Sequence, residues 1–127
     1  MTIERAFLWL AEVLMFSAFF CFIAGFRARK SDRARHMRMG KLGATLVFIG
    51  LVAVEVLHRG LHWEFPIRSR TILHVHIAVS FAALVALTAL AWTGMRGPKR
   101  LHVKLYLFFF PLFTASLVLS LAAFELW

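Results

Sequence analysis

The sequence predicts an all-α fold, an integral membrane four-helix bundle with up-down connectivity. Three observations predict it. Hydrophobic residues make up 61% of the 127 residues and charged residues only 17%, with a mean hydropathy of +0.79; a soluble domain is nearer half apolar and a quarter charged. The apolar residues gather into four segments near the roughly 20 residues that cross a bilayer, at about 6–26, 42–57, 71–93 and 103–126. The connections are short, so consecutive spans run antiparallel. This composition excludes a disordered chain, a disulfide scaffold and most soluble enzymes. The 127 residues make a single transmembrane domain, with no internal repeat or low-complexity segment.

Each span must be helical, because lipid offers no partner for free backbone polar groups. Residues 1–5 lack a clustered basic start and the run after Phe7 is as long as a full span, so this segment reads as a membrane helix and not a leader. Its lone cysteine, Cys21, has no intrachain partner and reads as a packing residue. The second span is short and should extend into its polar flanks. The third opens with Ile72, Leu73, His74, Val75 and His76. The fourth contains Pro111, which removes one helical hydrogen bond and should kink it. Thr114, Ser116 and Ser120 follow and are placed to bond across helices. Fourteen Phe and four Trp are present. Phe16, Phe19, Phe20, Phe22 and Phe108–Phe110 either wall a porphyrin or, the commoner role, face lipid and core.

Charge sets the expected orientation. Fifteen Lys and Arg oppose six Asp and Glu, a formal net charge of +9. Eleven of the fifteen lie at 27–41 and 94–104, on one side of the membrane; Arg5, Arg59, Arg68 and Arg70 lie on the other. The positive-inside rule places the eleven in the cytoplasm, with both termini and the 58–70 loop outside. The same basic segments suit anionic lipid. Nucleic-acid binding is not expected, because most of the positive charge is confined to two membrane-proximal segments.

The ionisable residues within the spans are concentrated at one depth. Glu12 falls in the outer half of the first span, Glu55 one turn below the outer end of the second, His58 and His62 at that boundary, and His74 and His76 at the start of the third. An intramembrane ionisable group costs at least a few kcal/mol, so it usually has a partner or a task. Glu55, His58 and His62 share one helical face at i, i+3 and i+7, provided the helix continues through Gly60. Glu-x-x-His is the spacing of carboxylate metal sites in bundles. His74 and His76 point about 200° apart, which puts His76 inward and His74 toward a neighbour or the headgroups. His36 and His102 form a second set on the basic side; a solvated loop residue and an interfacial residue are their plainer readings. His62 beside Trp63 also reads as an interface anchor. His58 and His76 read equally as satisfied core histidines, and Glu12 and Glu55 as hydrogen-bond partners of Ser, His or Arg59.

The order of the histidines resembles that of the YozB/CtaM-type family of small bacterial membrane proteins. The residues that carry the likeness are Arg35-His36-Met37-Arg38-Met39, His58 at 22 positions after His36, His76 within the segment 72–77, Arg96-Gly97 ahead of His102, and Pro111 nine positions beyond His102. The likeness covers about residues 25–121. It departs from the family in a shorter outer loop and in His62 and His74, which are extra. The resemblance implies a role in making or maturing respiratory haem–copper oxidases, especially those carrying haem A. The spans themselves lead us to expect a multi-pass protein of the bacterial inner membrane, and a histidine-ligated haem would allow electron transfer as well as assembly. It singles out His36, His58, His76 and His102.

Three functions follow as expectations. In the first, haem b is held between helices by His58 with His76 or by His36 with His102, with Glu12 or Glu55 bonded to the second imidazole nitrogen. A continuous helix separates His36 from His58 by about 33 Å, the full thickness of the hydrocarbon core, unless Gly40 and Gly43 break it and bring His36 inward. In the second, copper is handled at the outer face by His58, His62, His74, His76 and Glu55, since imidazole suits Cu(II). In the third, the chain is a non-catalytic structural subunit of a membrane complex. Whether copies of the chain associate into a homo-oligomer stays open. An enzyme is the least expected class. No nucleophile–base constellation appears, and Gly94-Met95-Arg96-Gly97 is too short for a phosphate loop.

Overall fold

The computed structural model describes residues 1–127. It contains four α-helices: α1 Ile3–Ala28, α2 Arg33–Glu55, α3 Arg70–Arg96 and α4 Lys99–Ala123. A π-helical turn, Val56–Gly60, extends α2. There is no strand, only an isolated bridge between Ile67 and Phe124. All four helices are long and apolar enough to cross a membrane, the second running as Arg33–Gly60. The chain is therefore an all-α, multi-pass membrane protein with four spans, packed as helix pairs.

The helices overrun the hydropathy segments. α2 begins at Arg33, nine residues before the expected 42. Asp32 caps it, its Oδ1 accepting from Arg35 N at 3.0 Å, and Arg, Lys and Met are good helix formers. The expected basic loop is therefore mostly helix, and His36 lies in the first turn of α2 and not in a loop. Only Arg29 to Asp32 link α1 to α2. Arg29 folds back on the end of α1, donating Nη1–H to Phe26 O at 2.8 Å and stacking its guanidinium 3.7 Å from the Phe26 ring centroid. α4 stops at Ala123, short of the expected 126, where Phe124 turns extended and pairs with Ile67.

The chain divides into two compact units, Met1–Pro66 with Leu126–Trp127, and Ile67–Glu125. The first is the antiparallel pair α1 and α2. Proceeding along it, Gly25 lies against His36 and Met39, Phe22 against Gly43, and Met15 against Gly50. α2 runs unbroken through Gly40 and Gly43, so the expectation that these glycines interrupt it does not hold. Gly43 is needed for close approach, since a Cβ there would lie 2.7 Å from Phe22 Cε1, whereas one at Gly40 would meet nothing within 4 Å. The second unit is the antiparallel pair α3 and α4. Ala83, Ala86, Leu87, Leu90, Phe109, Phe113 and Leu117 are buried, and the Phe109 and Phe113 rings stack at 5.4 Å. α4 continues through Pro111.

The π-turn sets the outer end of α2. Leu61 N donates to Val56 O and Trp63 N to Leu57 O, wider spacings than an α-helix makes. The helix ends at Gly60, and His62 has φ +53°, the one non-glycine residue in the left-handed region. His62 is thus off the helix, and the face expected to join Glu55, His58 and His62 stops at His58.

Candidate functional site: four histidines held through Nδ1

His36 is half-buried in the first turn of α2. Its Nδ1–H donates to Gly25 O on α1 at 2.8 Å. The two helices are close here, for a Cβ on Gly25 would lie 3.2 Å from Met39 Cβ.

His58 sits in the π-turn. Its Nδ1–H donates to Trp63 O at 3.0 Å and its ring stacks on Phe65 with centroids 6.2 Å apart. The side chain is exposed. Glu55 does not bond to it. The Glu55 carboxylate accepts from Arg59 Nε–H at 2.7 Å, one turn away, and both side chains are at least half exposed.

His76 is half-buried on α3 and reaches α4. Its Nδ1–H donates to Ser116 O at 3.0 Å, with Ser80 Oγ 3.4 Å away. Ser80 and Ser116 hydroxyls bond to each other at 2.6 Å. Ser116, one of the three α4 hydroxyls expected to bond across helices, does so, while Thr114 donates to Phe110 O on its own helix; Ser120 donates to Leu117 O.

His102, in the first turn of α4, docks on the last turns of α3. Its Nδ1–H is shared between Leu90 O at 3.0 Å and Thr93 Oγ at 3.2 Å. The Thr93 hydroxyl itself donates to Ala89 O and Leu90 O, which leaves its oxygen to accept from the imidazole. The ring lies over Gly94, where a Cβ would come within 2.9 Å of His102 Cε1.

One chemical statement covers all four. A carbonyl oxygen only accepts, so each of these imidazoles carries its proton on Nδ1. In the neutral ring the lone pair is then on Nε2. This is the arrangement by which a metal-ligating histidine is oriented, with one nitrogen tied to the protein.

The other expected residues are placed differently. His74 is exposed on α3, and His62 is exposed in the loop. Glu12 is buried within α1. The partner at Nδ1 is in every case a backbone carbonyl and not the carboxylate of Glu12 or Glu55. No three His, Cys, Asp or Glu side chains come together in a way that would hold a metal ion, so Glu55, His58, His62, His74 and His76 do not form a ready-made cluster. Ser116, expected to bond across helices, completes the seat of His76; Gly25, Thr93 and Gly94 complete the others without having stood out in the sequence as partners of histidine. Thr93 and Gly94 offer the only signal, a small pair one turn from the end of a span. Comparison of the chain with family models, with characterised proteins and with solved structures finds no match.

Proposed function

We propose that the chain is a membrane accessory protein of a respiratory haem–copper oxidase, in the bacterial inner membrane, that binds haem b through histidine Nε2. One observation carries the reading. The four histidines that the sequence resemblance singles out all have Nδ1 committed to a main-chain carbonyl. A neutral Nε2 donor is what haem iron takes as an axial ligand. Haem b would supply one-electron redox chemistry. The chain's own residues hold each ring at a fixed tautomer through its Nδ1–H. The excess of cations at 27–41 and 94–104 supports an orientation with those ends in the cytoplasm and both termini outside.

The test is the reduced-minus-oxidised optical spectrum of the purified protein, as isolated and after addition of haem b. A Soret band with split α/β features on reduction is the expected result, lost on replacing a ligand histidine with Ala. Absence of any Soret band after haem addition overturns the reading. If metal analysis then finds copper, the copper-handling alternative takes its place.

A second reading has support from the same bonds. Three of them join neighbouring helices, His36 to α1, His76 to α4 and His102 to α3, so the histidines could serve as cross-braces in a purely structural subunit. His102→Gln separates the two, because an amide can still donate to Leu90 O but does not replace imidazole on iron. Unchanged oxidase assembly in this variant and in His58→Ala, whose bond joins no second helix, favours the structural subunit.

A further inference from the structure

We infer that the face of α2 turned away from α1 is a docking strip for an anionic phospholipid, headgroup on Arg35, Arg38 and Lys41 and acyl chain along Leu42, Ile49 and Val52. The argument starts from the helix itself. Side chains advance about 100° per residue around an α-helix. Taking His36 as zero, the residues that meet α1 fall in one arc, with Gly43 at about 340° and Gly50 at about 320°. Val47, at about 20°, is only 8% exposed. Arg35, Arg38 and Lys41 fall at about 260°, 200° and 140°, centred on the opposite side. Leu42, Ile49 and Val52 fall at about 240°, 220° and 160°, beneath those cations on the same side. All three cations are exposed, and the three apolar side chains are 45%, 52% and 56% exposed.

The strip therefore has the polarity of a phospholipid. Its cationic end runs from Arg35 to Lys41, about 9 Å of helix; Leu42 to Val52 adds about 15 Å, half of the ~30 Å hydrocarbon core and so one leaflet. The charge is unopposed. No Asp or Glu occurs from Arg33 to Val54, and the nearest acid, Asp32, accepts from the backbone of Arg35 as helix cap. Three cations without an acid suit a phosphodiester bearing net negative charge and repel the ammonium of a zwitterionic headgroup. Arginine binds phosphate oxygens in a planar fork, which holds a headgroup in register as a point charge would not.

The experiment is native mass spectrometry of the full chain in detergent, titrated with phosphatidylglycerol or with phosphatidylcholine of the same acyl chains. At roughly fivefold per cation, the three cations should give wild type a preference for phosphatidylglycerol of about a hundredfold. Arg35→Gln/Arg38→Gln/Lys41→Gln should bring the two lipids level, whereas Arg27→Gln/Lys30→Gln/Arg33→Gln, with the same loss of charge, should keep most of the preference. Glycerol phosphate, a headgroup without tails, should not displace the lipid from wild type at a hundredfold excess. The inference is overturned if the first triple variant keeps its preference, if the second loses as much, or if glycerol phosphate displaces the lipid. The last measurement needs only the wild-type chain and decides the matter even where a variant fails to fold.

Discussion

Three glycines on α2 allow the packing of the first helix pair to be tested by adding one methyl group at a time. At Gly43 an added Cβ would lie 2.7 Å from Phe22 Cε1 and 3.0 Å from two further ring atoms. Phe22 is 5% exposed, so its ring has nowhere to turn and the helices must part. Overpacking of this kind costs about 1–3 kcal/mol, against a gain of about 1 kcal/mol for Ala over Gly in a helix. Gly43→Ala should therefore destabilise the chain by about 1 kcal/mol net. At Gly50 the formal clash is as close, 2.6 Å, but with the terminal methyl of Met15, a flexible side chain that can swing aside. Gly50→Ala should be neutral to slightly stabilising. At Gly40 nothing lies within 4 Å, so Gly40→Ala should gain the full ~1 kcal/mol. The expected order is Gly40→Ala, Gly50→Ala, wild type, Gly43→Ala, a spread of about 2 kcal/mol, or roughly thirtyfold in the unfolding constant. Reversible unfolding in mixed micelles, followed by circular dichroism, measures it. If Gly43→Ala proves as stable as Gly40→Ala, the helices do not approach as closely at Phe22 as described.

Two further substitutions probe the histidine ends. Gly94→Ala puts a Cβ 2.9 Å from His102 Cε1 and should tilt the ring off Leu90 O, at a cost of about 0.5–1.5 kcal/mol. Imidazole nitrogen NMR should then show faster exchange of the His102 Nδ1 proton, with the His76 signal unchanged. Glu55→Gln removes an exposed ion pair with Arg59 and should change stability by less than about 1 kcal/mol; a larger loss in the same unfolding assay would mean that the carboxylate has a second task.

Hydropathy is sufficient to locate all four helices, because in lipid an apolar run of that length has no other way to satisfy its backbone. It is blind to helix that continues into the headgroups, and this is why residues 33–41, rich in Arg and Lys, look like loop. Asp32 is the legible correction, an N-cap ahead of good helix formers. The end of α2 shows the converse. Gly60 can be read as a break, but the π-turn before it depends on carbonyl choices at Val56 and Leu57 that side chains do not announce. The histidine seats were least legible. Gly25, Trp63, Ser116 and Leu90 all act through a main-chain oxygen, which every residue possesses.

The positions of the histidines restrict how iron could be held. Within the α1–α2 pair, His36 and His58 are 22 residues apart on one continuous helix, about 33 Å. Within the α3–α4 pair, His102 is bonded to Leu90, 14 residues and about 21 Å along α3 from His76. A nitrogen–metal bond is about 2 Å, so neither hairpin can place both of its own anchored histidines on one metal. His36 with His58, and His76 with His102, are excluded as joint ligands. The histidine variants already described acquire a definite meaning from this. Two residues of one hairpin that prove to ligate must belong to separate groups, and their contributions to the spectrum must be additive. Non-additivity within a hairpin would contradict the helix geometry itself, whatever cofactor is bound.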